Sequence, residues 1–72
     1  MLRKHSITLS GHRTSFSLED AFLAELKTIA KARNISFAAL VAEIDEQRTN
    51  TANLSSALRL HVLDMLKQSA KQ

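Results

Sequence analysis

The apolar residues of this chain change their spacing once, between Ser17 and Asp20, and that switch restricts the fold more than any other feature. Over residues 3–9, Ile7 and Leu9 alternate with Ser6 and Thr8, the two-residue period of a strand. Ser10-Gly11 follows and holds the only glycine in the sequence, where the backbone is expected to turn. Alternation resumes from His12 to Leu18, with Arg13, Ser15 and Ser17 on one face and Thr14, Phe16 and Leu18 on the other. Two short strands about a tight turn and one long kinked strand both fit this segment. Beyond it, Leu18, Phe22, Leu26, Ile29 and Ala30 recur at three and four residues, the period of an amphipathic helix.

The helix limits follow from end chemistry. Ser17 is the expected cap of the first helix, with Glu19 and Asp20 where the helix dipole favours negative charge. Lys27, Lys31 and Arg33 gather toward its other end, and Asn34 suits a left-handed terminal position. Ser36 restarts a helix whose apolar stripe is Phe37, Leu40, Val41 and Ile44 and whose wet face is Glu43, Asp45, Glu46 and Arg48. A polar stretch from Thr49 to Asn53 breaks it. Asn53 or Ser55 then caps a third helix with a buried stripe of Leu54, Ala57, Leu58, Val62, Met65 and Leu66. Leu60 and Leu63 lie off that stripe, so a second face is apolar as well and is expected to touch a partner. The tail Gln68–Gln72 is expected to fray. The result is one mainly α domain with a short N-terminal β segment: a strand or hairpin over about 3–17 and helices over about 18–33, 37–48 and 54–68. No internal repeat or low-complexity stretch stands out.

A chain of 72 residues buries only about 60% of the surface its unfolded form exposes, so its core is marginal alone. There is no cysteine, which excludes disulfides, thiol chemistry and zinc knuckles. His5, His12 and His61 are scattered without metal-ligand spacing; His5 and His12 read as neutral surface histidines near the turn, and no cofactor or metal is expected. Association with a second copy is the remaining way to complete the core. The net charge of +3 is unevenly spread: residues 1–13 carry Arg3, Lys4 and Arg13 and no acid, which suggests a polyanion at that end with Arg3 and Lys4 as phosphate contacts. Phe16, Phe22 and Phe37 are the only aromatics and sit at core spacing, so they read as packing rather than a base-stacking platform. No glycine-rich loop or nucleophile elbow positions the Ser, His and Asp present, which argues against an enzyme. No apolar run approaches the roughly 20 residues of a membrane span, and neither a signal peptide nor a membrane partner is expected; cytoplasmic residence follows.

A single strand joined to helices leaves its backbone groups unpaired, and two copies pairing about a two-fold axis is the simplest remedy. A two-stranded antiparallel ribbon fits the major groove of double-stranded DNA. Its outward face would present Arg13, Ser15 and Ser17 from each chain, an Arg able to bond guanine bidentately beside two hydroxyls. Ser17 cannot easily serve both here and as a helix cap.

The segments Arg13-Thr14-Ser15-Phe16-Ser17-Leu18, Glu19-Asp20-Ala21-Phe22 to Lys31, and Asn34-Ile35-Ser36-Phe37-Ala38-Ala39-Leu40 resemble the ribbon-helix-helix family of bacterial DNA-binding proteins. The strings Ser6 to Ser15 and Asn53 to Leu60 resemble, more narrowly, small stand-alone members of that fold. The resemblance implies an intertwined homodimer with base contacts at Arg13, Ser15 and Ser17. It also implies a phosphate at the helix start Ser36-Phe37, a position that suits an anion on physical grounds too. Phe16 and Leu18 would lie beneath the ribbon over Phe22, Leu26, Leu40 and Ile44, forming the dimer core. This chain departs from the typical member by placing a strand, residues 3–9, ahead of the reading strand. That extra segment could pair beside the ribbon, shift its register, or read DNA itself with Lys4, Ser6 and Thr8 outward. The expected function is a sequence-specific transcriptional regulator whose operator holds two related half-sites. The alternative is a dimeric protein-interaction module that uses the C-terminal helix, of which an antitoxin would be the version that keeps both surfaces.

Overall fold

The computed structural model describes residues 2–9, 11–47 and 53–70. Ser10, Arg48, the polar break at residues 49–52 and the last two residues of the tail lie outside them. Two strands, β1 (Leu2–Leu9) and β2 (His12–Glu19), form an antiparallel hairpin, followed by α1 (Asp20–Ala32), α2 (Phe37–Gln47) and α3 (Leu54–Ala70). The hairpin register runs from Leu2 opposite Glu19 to Leu9 opposite His12, so only two residues make the turn. Gly11 holds φ at +81°, a left-handed conformation that residues with a side chain rarely adopt.

Of the two forms open for residues 3–17, the chain adopts two strands about a tight turn. β2 finds its hydrogen-bonding partner in β1 of the same chain. The buried residues form one cluster under the hairpin. Phe16, Leu18, Leu26, Leu40 and Ile44, expected beneath a shared ribbon, are all buried here, with Phe22 half-buried against them. Leu9 from β1, Ala30 from α1, Val41 from α2 and Leu54, Leu58 and Val62 from α3 complete that core.

Helix ends follow the expected chemistry with two exceptions. Asn34 is the one non-glycine residue with positive φ among the described residues, at 59°. Around it the Asn34 N–H donates to the Lys31 carbonyl and the Ile35 N–H to the Ala30 carbonyl, both at 3.0 Å, the paired closure of a helix C-terminus. Ser36 Oγ accepts the Ala39 N–H at 3.0 Å, and Asn53 Oδ1 accepts the Ser56 N–H at 2.7 Å, so both helices open on side-chain caps. Ser17, however, does not cap α1. The strand runs on to Glu19, which occupies the cap position without a capping side-chain bond, because continued pairing with β1 keeps Ser17 and Leu18 extended. At the other end α3 continues through Ala70, so Gln68 and Ser69 are helical where fraying was expected.

α1 and α2 are tied across their wet faces by a two-pronged ion pair, Arg33 Nη1 and Nη2 to the Glu43 carboxylate at 3.0 and 2.9 Å. That guanidinium holds the Glu43 carboxyl below its ordinary pKa.

Candidate nucleic-acid interface

Antiparallel pairing decides which side chains share a face. In β2, Thr14, Phe16 and Leu18 point toward the helices while Arg13 and Ser15 stand exposed on the other side. Because Thr8 lies opposite Arg13, Ser6 opposite Ser15 and Lys4 opposite Ser17, all three β1 residues occupy that same outward face, and all three are exposed. The hairpin therefore brings together Lys4, Ser6, Thr8, Arg13, Ser15 and Ser17, of which Ser17 alone is half-buried. Neither Lys4 nor Arg13 has an ion-pair partner among the described residues, so both charges are free for an external anion.

The far end of this face is closed by α3. The Ser17 N–H donates to Ser55 Oγ at 3.2 Å, and Arg59 grips Glu19 through Nε at 2.9 Å and Nη2 at 3.2 Å. The Arg59 hydrogen bonds hold the Glu19 carboxyl below its ordinary pKa and offset the one acid on the outward face among the described residues. These contacts also show which edge of β2 they occupy. A Ser17 N–H that meets α3 points away from β1, as it must in a pair of the wide, non-hydrogen-bonded type. α3 thus covers part of the edge of β2 that β1 leaves open.

Arg3 and Ser36-Phe37, the other expected phosphate contacts, lie elsewhere. Arg3 sits opposite Leu18, on the opposite parity to Lys4, and its guanidinium is engaged by Asp20 at 3.1 Å. Ser36 Oγ is occupied as a cap and Phe37 is half-buried against the core, while the start of α2 remains a place where backbone amides converge. His5, expected at the surface, is instead tucked under the hairpin: its ring lies 5.5 Å from that of Phe16, and its Nε2 is buried without a hydrogen-bond partner. The inward parity of His5 in β1 was the signal for this.

Away from the ribbon, two open grooves flank α3. One, about 450 Å³, lies against α2 beside Leu60, His61 and Leu63; the other, about 220 Å³, lies against α1 beside Ile29, Met65 and Leu66. Leu60, Leu63 and Leu66 are 59%, 47% and 51% exposed, so Leu66, placed on the buried stripe by its spacing, belongs to the uncovered surface. Among the described residues no cluster of His, Asp and Glu has the makings of a metal site, and no helix is long and apolar enough to cross a membrane.

No curated protein and no solved structure matches this chain. A two-stranded ribbon with a basic, hydroxyl-rich outer face, set on a helix that closes at a left-handed Asn and a second helix that opens on a Ser cap, accounts for the elements from Leu2 to Gln47. The family model described as ribbon-helix-helix domain matches residues 2–66, and the chain belongs to that family.

Proposed function

We propose that this protein is a sequence-specific DNA-binding transcriptional regulator that acts as a homodimer in the cytoplasm, at the nucleoid. Ribbon-helix-helix proteins are typically dimeric, DNA-binding and non-enzymatic. The observation that carries the reading is the outward face of the hairpin, where Arg13 and Ser15 stand exposed with no unpaired acid nearby. A two-stranded ribbon fits the major groove, Arg bonds guanine through two parallel N–H donors, and Ser accepts or donates as the base requires. The α2 start at Ser36-Phe37 offers converging amides to a phosphate, and regulation follows from occupancy of an operator with two related half-sites.

The test is duplex binding from a random-sequence pool across a salt series. The logarithm of affinity should fall linearly with the logarithm of salt, by roughly 0.9 per phosphate contact, and one sequence should be enriched. A chain indifferent to duplex DNA at low salt would overturn the proposal. The three exposed leucines of α3 favour a second reading, a dimeric interaction module that docks a protein through α3; such a protein would lose its partner on Leu60→Glu and ignore Arg13→Ala.

A further inference from the structure

Ser55 and Arg59 sit four residues apart on α3, and Ser17 and Glu19 two residues apart on β2. Four helical residues rise about 6 Å and two strand residues advance about 6.8 Å, so the two spacings match. The result is a double fastening. Ser55 Oγ accepts the Ser17 N–H at 3.2 Å, and the Arg59 guanidinium holds both oxygens of the Glu19 carboxylate at 2.9 and 3.2 Å. Leu54 and Leu58, one residue before each of these side chains, are buried and fix α3 in that place.

Glu19 has the parity of Arg13, Ser15 and Ser17, so it stands at the end of the outward face. Its cross-strand partner is Leu2, and the next outward residue of β1 is Lys4, on the diagonal at about 7–8 Å. A Lys and a Glu reach each other across such a diagonal. Here the Glu19 carboxylate is bound to α3 instead, and Lys4 has no ion-pair partner among the described residues. Asp20, the next acid along the chain, is engaged in the same way by Arg3.

We infer that Arg59 is a positioning residue for DNA binding: it ties up Glu19, so that the acid neither repels the phosphate backbone nor captures Lys4. This rests on the DNA-binding reading above and concerns how α3 prepares that surface. The side chains of Arg59 and Glu19 are 34% and 40% exposed, so the pair lies where a duplex laid on the hairpin would meet the carboxylate were it free. DNA carries one negative charge per about 1.7 Å of its axis, which makes an unshielded acid at this position unfavourable. α3 thereby sets the charge of a face built from β1 and β2.

The experiment measures affinity for a random-sequence duplex pool over a salt series. It uses the full chain, Arg59→Lys, Arg59→Gln and the double variant Glu19→Gln, Arg59→Gln, each checked for cooperative melting. Arg59→Gln should bind roughly 3- to 10-fold more weakly at low salt, the effect of one exposed like charge, with the deficit narrowing as salt screens it. Its salt slope should fall by about 0.9 as Lys4 turns to the freed acid. Removing the acid as well should return affinity and slope to those of wild type, because no charge remains to be shielded. Arg59→Lys keeps the positive charge and should stay within about 2-fold of wild type. A loss that the double variant fails to recover would overturn the inference, since Arg59 would then act by touching DNA or by packing alone. An Arg59→Gln chain that binds as wild type does would overturn it too. If Arg59→Gln alone does not fold, the double variant decides: wild-type affinity without Arg59 supports the inference, and a deficit overturns it. A wild-type chain that binds no duplex at low salt would instead overturn the functional proposal, and this inference with it.

Discussion

At the residue scale, the outward set depends on a few positions whose conformations leave little choice. Gly11 holds a left-handed backbone between Leu9 and His12, and nothing approaches the space a Cβ would take, so a substitution there meets backbone strain alone. Gly11→Val should cost roughly 1–2 kcal/mol in denaturant unfolding and, because the turn fixes the register, should weaken the pairing of Lys4 with Ser17 as well. Two-residue turns set which residues face each other, and a slip of one would move Arg13 and Ser15 to the core side. Leu26 and Leu58, by contrast, are fully buried and act through packing. Leu58→Ala should destabilise the whole domain by about 2–5 kcal/mol in the same measurement, since α3 contributes to the one core rather than resting on it.

At the element scale, α3 is fastened to the hairpin by Ser55 and Arg59, and the Glu19–Arg59 pair gives that fastening a pH dependence. The Glu19 carboxyl has a lowered pKa in the folded chain, so the pair stabilises the fold above the ordinary carboxylate range. That contribution is lost as pH falls through the lowered value. Arg59→Gln should therefore melt below wild type near neutral pH and approach it in acid; a deficit that persisted at low pH would mean Arg59 acts through packing of its stem. The same elements show what the sequence disclosed and what it concealed. The left-handed Asn34 and the Ser36 cap were legible because they are local, set by a few adjacent residues. Ser17 misled for the converse reason: a good capping residue two positions early stayed in the strand because β1, far from it in sequence, pairs with it. Arg13 and Ser15 could be placed on one face by alternation alone, yet joining them to Lys4, Ser6 and Thr8 required the register, which alternation does not supply. The partition of Leu66 onto an uncovered surface was hidden too, since helical spacing gives a face but not what covers it.

At the scale of the whole molecule, the way a second copy attaches decides what its removal does. An intertwined dimer would share its core, and separating the copies would unfold both. Here eleven buried hydrophobic residues already form one cluster drawn from both strands and all three helices. The large hydrophobic residues left exposed among the described residues are Leu2 at the start of β1 and Leu60, Leu63 and Leu66 along α3. Two copies joined through α3 would keep both hairpins available, one for each half-site of an operator. The Leu60→Glu, Leu63→Glu double variant tests this, because charge on an exposed face leaves the internal core alone while opposing burial against a partner. It should sediment as a monomer, retain the helical circular dichroism and cooperative melting of a folded chain, and bind a single half-site with the affinity of one wild-type ribbon. Loss of helix on separation would show instead that the two chains share the core, and an unchanged dimer would place the contact between copies on another surface.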